Sequence, residues 1–455
     1  MPRKSLKRKV LDQLDGLKEQ LQVQHHLYQT PGLLSEEMPG DSSDSSLDST
    51  NSLREDLLMS NQVAIDQLET LEEVGETKRY LFGRRPYRKG FSKTVFERDL
   101  QHDEEDDNSP PWLTDEEFLQ KYRMHRENFL QLVGLVKDHP VFQSGIYKKQ
   151  SPAEWQLLVF CFFIGRSDNG ASAPQMRNTF GISRGTANNY KKRSCIAIRS
   201  LKEALVYWPD KSERAQISTR IFARYSWLNV IGIADGTLLP LTTCPRTIDS
   251  PDYKGRKGQY TISTLFINDD KKRVRYYLSG FPGCAHDNRV WRSSLPFNHP
   301  QEYFGKHYFL VGDSAYLNGD QMVSSYKKLS GQQLPRDQEQ FNTLMGKLRI
   351  TSEHTIGMLK GRFPILRGIP FVITHKKKSM RRVLQYIDCC VILHNFLVDH
   401  GEDEIPSDWE IPDDVSEIGA SLGEFDYAGA FVAGTDSDAR RSRCMEYFKS
   451  QLLIM

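Results

Sequence analysis

Three acidic residues stand where the sequence pattern ends or carries a regular element. Asp235 closes the strand-like run "NVIGIAD", Asp313 closes "FLVGD", and Glu353 lies in the helical pattern "LMGKLRITSEHTIGMLKGRF". Two aspartates at the carboxyl ends of apolar strands, approached by a helical glutamate, offer the oxygen ligands that Mg²⁺ prefers. Two such ions about 3.5–4 Å apart can activate a water or a 3′-hydroxyl and stabilise the leaving oxygen of a phosphodiester bond.

Each of these carboxylates also has an ordinary structural interpretation. Asp235 could cap a turn at Gly236, Asp313 could cap a following helix, and Glu353 could pair with Arg349 one helical turn earlier. The chain contains 59 acidic residues, so spacing alone does not separate these interpretations from a metal site.

The elements that must position these residues follow from the hydrophobic pattern. We predict a largely disordered basic and polar region over 1–110, a helical domain over 111–205, an α/β domain over 206–400 and a loosely attached acidic tail over 401–455. Within the α/β domain, "WLNVIGI", "QYTISTLFI", "RVRYYLSGF" and "HYFLVGD" are short runs typical of strands, and the pattern after 343 is helical again.

Six segments of this α/β domain, taken in order, resemble the DDE-type transposases of the PIF/Harbinger superfamily and their domesticated relatives. They are "IADGTLLPL", "DYKGRKGQYTIS", "GFPGCAHDNRVW", "LVGDSAYL", "EQFNTLMGKLRITSEHTIGMLKGRF" and "VILHNF". The resemblance implies a ribonuclease-H-like core, which is a mixed five-stranded sheet flanked by helices. It agrees with the strand and helix pattern found in this region.

The resemblance also assigns roles. The catalytic and metal-binding carboxylates of the family fall on Asp235, Asp313 and Glu353, and its cofactor is Mg²⁺, with Mn²⁺ as a substitute. The His-Asp pair after the third strand falls on His286 and Asp287. Asp287 could support the metal site or cap the next helix, and the sequence leaves both interpretations open.

The segment "SAPQMRNTFGISRGTANNYKKRSCIAIRSL" predicts a helix, a tight turn at Gly181 and a second helix capped by Ser183. Helix-turn-helix proteins place the start of their second helix against base edges, where Arg suits guanine and Asn suits adenine. The alternative is an ordinary helical hairpin with a solvated basic face. The predicted DNA contacts are Arg184, Thr186, Asn188, Asn189, Lys191 and Lys192, together with Lys254, Arg256, Lys257, Arg289 and Lys360 as candidate phosphate contacts.

Composition limits the remaining possibilities. The net charge is only +2, but the basic residues are clustered in "RKSLKRK", "RRPYRKG" and "THKKKSMRR", which is typical of nucleic-acid binding or nuclear import signals. The seven cysteines have no zinc-site spacing, and the longest apolar run, "LLVFCFFI", is too short to span a membrane. We expect a nuclear protein, with a cytoplasmic fraction, and no membrane partner.

The sequence therefore predicts a divalent-metal-dependent DNA endonuclease or transposase that cuts phosphodiester bonds at transposon ends and could also carry out strand transfer. The alternative is a domesticated DNA-binding or scaffold protein that no longer uses catalysis. Double-stranded DNA is the expected partner. The resemblance further suggests a Myb-like DNA-binding partner protein, and a homo-oligomer is compatible with the sequence.

Overall fold

The computed structural model describes residues 91–100, 113–143, 150–167, 172–255, 258–327, 333–406, 409 and 439–452. The predicted contacts Arg256 and Lys257 lie outside these residues, as does most of the region 1–110. Within the described residues, no helix is both long enough and apolar enough to cross a membrane.

The first part of the fold is helical. Its helices are α1 (Phe91–Leu100), α2 (Asp115–Tyr122), α3 (Arg126–Val136), α4 (Ala153–Ile164), α5 (Ala173–Phe180), α6 (Arg184–Arg199) and α7 (Lys202–Leu205). Helix α4, which carries the apolar run noted above, is buried on nearly every face. It is the helix around which α2, α3 and α6 pack. A helix that is apolar all round belongs in a core, so "LLVFCFFI" is explained without a membrane.

The second part is a five-stranded sheet in the order β3-β2-β1-β4-β5. Its strands are β1 (Val230–Pro240), β2 (Thr261–Asn268), β3 (Val274–Pro282), β4 (Phe309–Gly312) and β5 (Met322–Ser324). β1, β2 and β3 pair antiparallel, whereas β4 and β5 pair parallel with β1 and with each other. The sheet is therefore mixed and flanked by helices, as predicted, and it is consistent with a ribonuclease-H-like core.

Helices surround this sheet and connect its strands. α8 (Lys211–Tyr225) precedes β1, and α9 (Asp287–Arg292), α10 (Leu295–Asn298) and α11 (Pro300–Tyr303) lie between β3 and β4. The two long helices α12 (Arg336–Arg362) and α13 (Lys377–Asp399) follow β5, and α14 (Ala439–Leu452) is last. Of these, α12 contacts β1, β2 and β4, which places Glu353 over the sheet.

The helical part and the sheet share one hydrophobic core. A single cluster of buried side chains joins Phe160 of α4, Ile198 of α6 and Val391 of α13 to Leu239 of β1 and Phe266 of β2. A second cluster fills the other face of the sheet, beneath α8, α9 and α12. The helical segment is therefore continuous with the α/β domain in its packing.

The "VILHNF" segment at the end of α13 has a structural task. The Asn395 side chain accepts from the Val274 amide at 2.9 Å and donates to the Val274 carbonyl at 2.7 Å and to the Leu205 carbonyl at 2.8 Å. The neighbouring His394 ring pairs through Nε2 with the Lys272 carbonyl at 2.9 Å. Burial lowers the pKa of His394 to about 3, so the ring is neutral and donates this hydrogen bond. The segment therefore fixes the start of β3.

Two described regions extend the folded part beyond the predicted boundaries. α1 lies within the span 1–110, and its Val95 and Phe96 are buried in the helical core. In the span 401–455, Glu402 accepts from the His125 amide and from Asn128, while Met445 of α14 is buried against the sheet side. Each of these attachments joins residues far apart in sequence, which local composition does not reveal.

Candidate active site

The parallel pairing of β1 with β4 brings Asp235 and Asp313 to the same level of the sheet, just beyond the carboxyl end of β4. Ile233 is paired with Val311, and each aspartate follows its paired residue by two positions. β4 ends at Gly312, so Asp313 is the first residue beyond it, where its Oδ1 accepts from the Ala315 amide at 3.0 Å. Asp313 is buried and lies beside Asp235 because the strands run in register.

Asp235 is not at the end of its strand, contrary to the sequence-based expectation. β1 continues to Pro240, and Asp235 and Gly236 pair with Phe266 and Leu265 of β2. Only the partner on the other side, β4, ends at this level. The turn-capping interpretation of Asp235 is therefore wrong, because no turn occurs at Gly236.

Glu353 approaches from α12, as the helical pattern predicts. Its Oε1 lies 3.7 Å from Arg349 Nη2, so the predicted ion pair one turn earlier is present as well. The ion pair does not exclude Glu353 from the acidic site. The charge of the Arg349 guanidinium also acts on Asp235, where it opposes the rise in pKa that burial causes.

Asp287 is the fourth carboxylate of the group. It is the first residue of α9, but the residue that caps this helix is His286, whose Nδ1 accepts from the Asn288 amide at 3.2 Å. The Asp287 carboxylate lies directly against Gly236, where a Cβ atom would collide with it. Glycine at 236 therefore makes room for Asp287 beside Asp235, which favours the supporting role over the capping role.

The four carboxylates share one electrostatic environment. The pKa of Asp235 is raised to about 7: burial is the largest cause, the positive charge of Arg349 opposes it, and the negative charges of Asp313, Asp287 and Glu353 add to the rise. The raised pKa shows that burial and the neighbouring carboxylates together outweigh the charge of Arg349. Such shifted carboxyl groups are concentrated at functional sites.

Tyr316 belongs to the same environment and was not identified from the sequence. Its side chain is buried, and its hydroxyl is enclosed without a hydrogen-bond partner among the described residues. Burial and the charges of Asp287, Asp235 and Asp313 raise its pKa well above the ordinary value, so the hydroxyl stays protonated. The only signal in the sequence is its position in "GDSAYL", three residues after Asp313.

The donor chemistry of this site suits a hard divalent cation, since every candidate ligand is a carboxylate oxygen. Such an ion would lower the raised pKa of Asp235, and its bound water would give the Tyr316 hydroxyl the hydrogen-bond partner that it lacks among the described residues. In the described residues, however, no three His, Cys, Asp or Glu side chains converge closely enough to enclose one ion. The positive charge in this arrangement is that of Arg349.

The predicted DNA-reading hairpin has the expected local geometry. Gly181 ends α5 in the left-handed conformation with φ of 64°, and Ser183 caps α6 by accepting from the Thr186 amide at 3.2 Å. Thr186 is half-buried beside Ser183, and four predicted contacts are exposed at the start of α6: Arg184, Asn188, Asn189 and Lys192. Their contact with DNA remains a prediction.

Two lysines of the predicted set differ from expectation. Lys360 is only 2% exposed, so it has no surface with which to contact DNA. The prediction that Lys360 contacts a DNA phosphate is therefore wrong. Lys191 is 9% exposed, because its position on α6 faces α4 and α13. Lys254 and Arg289 are exposed, as a phosphate contact requires.

Comparison with known proteins agrees with this geometry. Residues 234–395 match the family described as DDE superfamily endonuclease, and this range contains all four carboxylates. The chain is 22% identical over 297 residues to the mouse protein named putative nuclease HARBI1, a match that covers 64% of this chain and 80% of that one. No solved structure gives a significant match. The part of the chain that carries the four carboxylates is therefore similar to the DDE superfamily endonucleases.

Proposed function

We propose that this protein is a divalent-metal-dependent DNA endonuclease of the Harbinger transposase type, which cuts phosphodiester bonds at transposon ends. The observation that carries the proposal is the grouping of Asp235, Asp313, Glu353 and Asp287 around the carboxyl end of β4, inside the range that matches the endonuclease family. In a complete transposase the freed 3′-hydroxyl would then attack target DNA at the same site.

In this proposal Asp235, Asp313 and Glu353 would hold Mg²⁺ or Mn²⁺, with Asp287 in support, and the ion would supply Lewis-acid charge and an activated water. The backbone positions the two aspartates, because Asp235 lies within β1 and Asp313 directly follows β4, which pairs with β1. Gly236 leaves room for Asp287 beside Asp235. Arg349 orients Glu353, and Tyr316 keeps its proton and can donate a hydrogen bond to an oxygen bound beside the carboxylates.

The second candidate function is a domesticated DNA-binding or scaffold protein. The observation that favours it is the lack of three convergent ligands among the described residues, together with the ion pair that occupies Glu353. In this case the basic surfaces bind DNA, and the carboxylates are present but do not catalyse DNA cleavage.

A metal-dependent nicking assay separates the two functions. Wild type should nick supercoiled plasmid, or cut a terminal-repeat oligonucleotide, in Mg²⁺ or Mn²⁺ but not in EDTA. Asp313→Asn should lose this activity while it retains DNA binding. Asp138→Asn, which changes an exposed aspartate in the helical part, is the matched control and should cut like wild type. Equal, metal-independent background cutting by all three proteins would support the scaffold function.

We also propose that the protein acts in the nucleus on double-stranded DNA, with a Myb-like partner protein and with self-association as further possibilities. The basic run near the amino terminus and the resemblance to Harbinger transposases support this. Deletion of residues 1–10 should reduce nuclear accumulation in imaging. Unchanged accumulation would indicate that the nuclear import signal lies in another basic run or is carried by the partner protein.

A further inference from the structure

Lys191 occupies an unusual position for a surface-helix lysine. Its side chain is 9% exposed and is directed from α6 toward α4, where its ammonium nitrogen lies 4.0 Å from the centroid of the Phe163 ring. Lysine commonly packs its alkyl chain against apolar residues and directs only the charged end outward. In Lys191 the charged end itself packs against the Phe163 ring, so packing fixes the position of its ammonium group.

A second cation faces the same aromatic surface from α13. The Arg382 guanidinium carbon lies 4.2 Å from the centroid of Phe371, and the rings of Phe371 and Phe163 are 6.1 Å apart. Lys191 and Arg382 therefore stand over adjacent rings. The helices that carry them are in direct contact, since Cys195 Sγ of α6 approaches the Gln385 carbonyl of α13 at 3.8 Å.

The surroundings of Lys191 are short of negative charge. Burial and the positive charges of Arg382 and Arg184 lower the pKa of Lys191 to about 8. In the part of the chain that the structure describes, no carboxylate forms an ion pair with the Lys191 ammonium. A buried lysine held close to a second cation, and with no carboxylate paired to it among the described residues, favours an anion from outside the protein.

The exposed start of α13 extends this positive surface. The sequence "THKKKSMRR" is one of the basic clusters noted above, and its function was left open between nucleic-acid binding and nuclear import. In the structure its charged residues are all exposed around the start of α13: Lys376, Lys377, Lys378, Arg381 and Arg382. The exposed residues at the start of α6 lie on the helix that contacts α13.

We propose that Lys191 and Arg382 form a phosphate-binding site for the backbone of duplex DNA between α6 and α13. This site, called the α6–α13 cluster below, rests on the proposed function, because it identifies where the DNA substrate is held. Arg can bind a phosphate through two parallel hydrogen bonds and Lys adds a point charge. Duplex DNA is favoured over a single small anion because the row of cations continues along α13, and a duplex presents phosphates in a regular row.

The inference differs from the helix-turn-helix prediction in a testable way. A recognition helix acting alone would contact DNA through its exposed face, where Asn188 and Lys192 lie. The α6–α13 cluster instead joins α6 to a helix of the endonuclease domain. Substitution of Arg382, which is outside the predicted hairpin, should therefore weaken DNA binding as much as substitution of Lys191.

The test is a titration of a fluorescent duplex of about 30 base pairs by anisotropy at several salt concentrations, in EDTA so that cutting does not occur. Lys191→Met and Arg382→Gln should each lower the slope of log K against log salt by roughly 0.9, and the double variant by about twice that. The loss should be equal for terminal-repeat and scrambled duplexes. Lys137→Met, which changes an exposed lysine at the end of α3, is the control and should match wild type.

Stability is measured alongside, because a folding defect would imitate a binding defect. Lys191→Met preserves the buried chain and removes a poorly compensated charge, so its melting temperature should equal or exceed that of wild type. Arg382→Gln changes an exposed residue and provides an independent measurement if Lys191→Met does not fold. Inorganic phosphate at millimolar concentration should compete only weakly with the duplex, and competition as strong as that of DNA would overturn the assignment to a duplex.

The remaining outcomes distinguish the inference from the proposed function. Unchanged slopes with metal-dependent nicking intact would overturn the α6–α13 cluster alone. A lowered slope without any metal-dependent nicking would support the cluster and overturn the endonuclease function. If wild type binds no duplex at all, both are overturned.

Discussion

Arg349 offers a direct test of the electrostatic account of the acidic site. We expect Arg349→Ala to destabilise the protein in EDTA, because it removes the positive charge that opposes the repulsion among Asp235, Asp313 and Glu353. Two unit charges 3.7 Å apart interact by about 4.5 kcal/mol at an effective dielectric constant of 20.

This Coulomb energy is an upper limit for the ion pair. Arg349 and Glu353 are 18% and 29% exposed, so water screens the pair, and a fully exposed pair at this helical spacing contributes only about 0.3–0.5 kcal/mol. We therefore expect a loss of about 1–2 kcal/mol in the free energy of unfolding. For a folded part of more than 300 residues that is a decrease of roughly 1–3 °C in melting temperature.

The response to Mg²⁺ is the more specific measurement. A cation that binds only the folded protein raises its melting temperature, and a more negative site binds that cation more tightly. Mg²⁺ should therefore raise the melting temperature of Arg349→Ala by more than that of wild type, while Arg349→Lys keeps the charge and should respond like wild type. Arg220→Ala is the control, because it breaks a two-bonded ion pair with Asp270 on another part of the sheet.

Two outcomes would refute this reasoning. If Arg349→Ala is as stable as wild type in EDTA, the carboxylates do not depend on the guanidinium. If Mg²⁺ stabilises Arg349→Ala less than wild type, Arg349 supports cation binding instead of opposing it. An equal Mg²⁺ response in Arg349→Ala and Arg220→Ala would place the bound ion elsewhere in the protein.

Two further predictions concern other parts of the fold. Asn395→Ala should lower the free energy of unfolding by about 3–5 kcal/mol in urea denaturation, because it leaves the buried polar groups of Val274 and the Leu205 carbonyl without partners; a loss below 1 kcal/mol would contradict this role. For Lys191, the folded-state pKa of about 8 lies below the ordinary 10.5, so the unfolded chain binds more protons between these two pH values. The stability of wild type relative to Lys191→Met should therefore rise by up to about 3 kcal/mol from pH 8 to pH 10.5 and be constant below pH 8, and a fall over that range would show the opposite sign of shift.

The sequence predicted the elements of the site better than their surroundings. Strand and helix patterns placed Asp235, Asp313 and Glu353 on the correct elements, because apolar periodicity depends on local burial. They did not predict that β1 continues past Asp235, since the length of a strand depends on its partner, and β2 extends beyond β4 along β1. The three-residue β5 is too short to produce a pattern of its own.

The same limit explains the two lysines that differ from the predicted contacts. Charge and helical position suggested that Lys191 and Lys360 would be exposed, because lysine is rarely buried. Whether a helix face is exposed depends on what packs against it, and for α6 that includes α13, whose residues begin almost two hundred positions later. Asp287 is the reverse case, since its role was left open by sequence and depends on the lack of a side chain at Gly236.

The shared core has a consequence for how DNA would be handled. Lys191 and Arg382 are attached to α6 and α13, and the hydrophobic cluster beneath these helices also contains Leu239 of the strand that carries Asp235. A close-packed core transmits strain and resists small displacements, so a phosphate bound at the α6–α13 cluster would be held at a fixed position relative to the carboxylates. A flexibly linked DNA-binding domain would locate DNA without orienting it. If the α6–α13 cluster binds DNA, the helices that bind it and the strand that carries Asp235 belong to one packed core, so a variant that loosens this core should reduce cutting before it reduces DNA affinity.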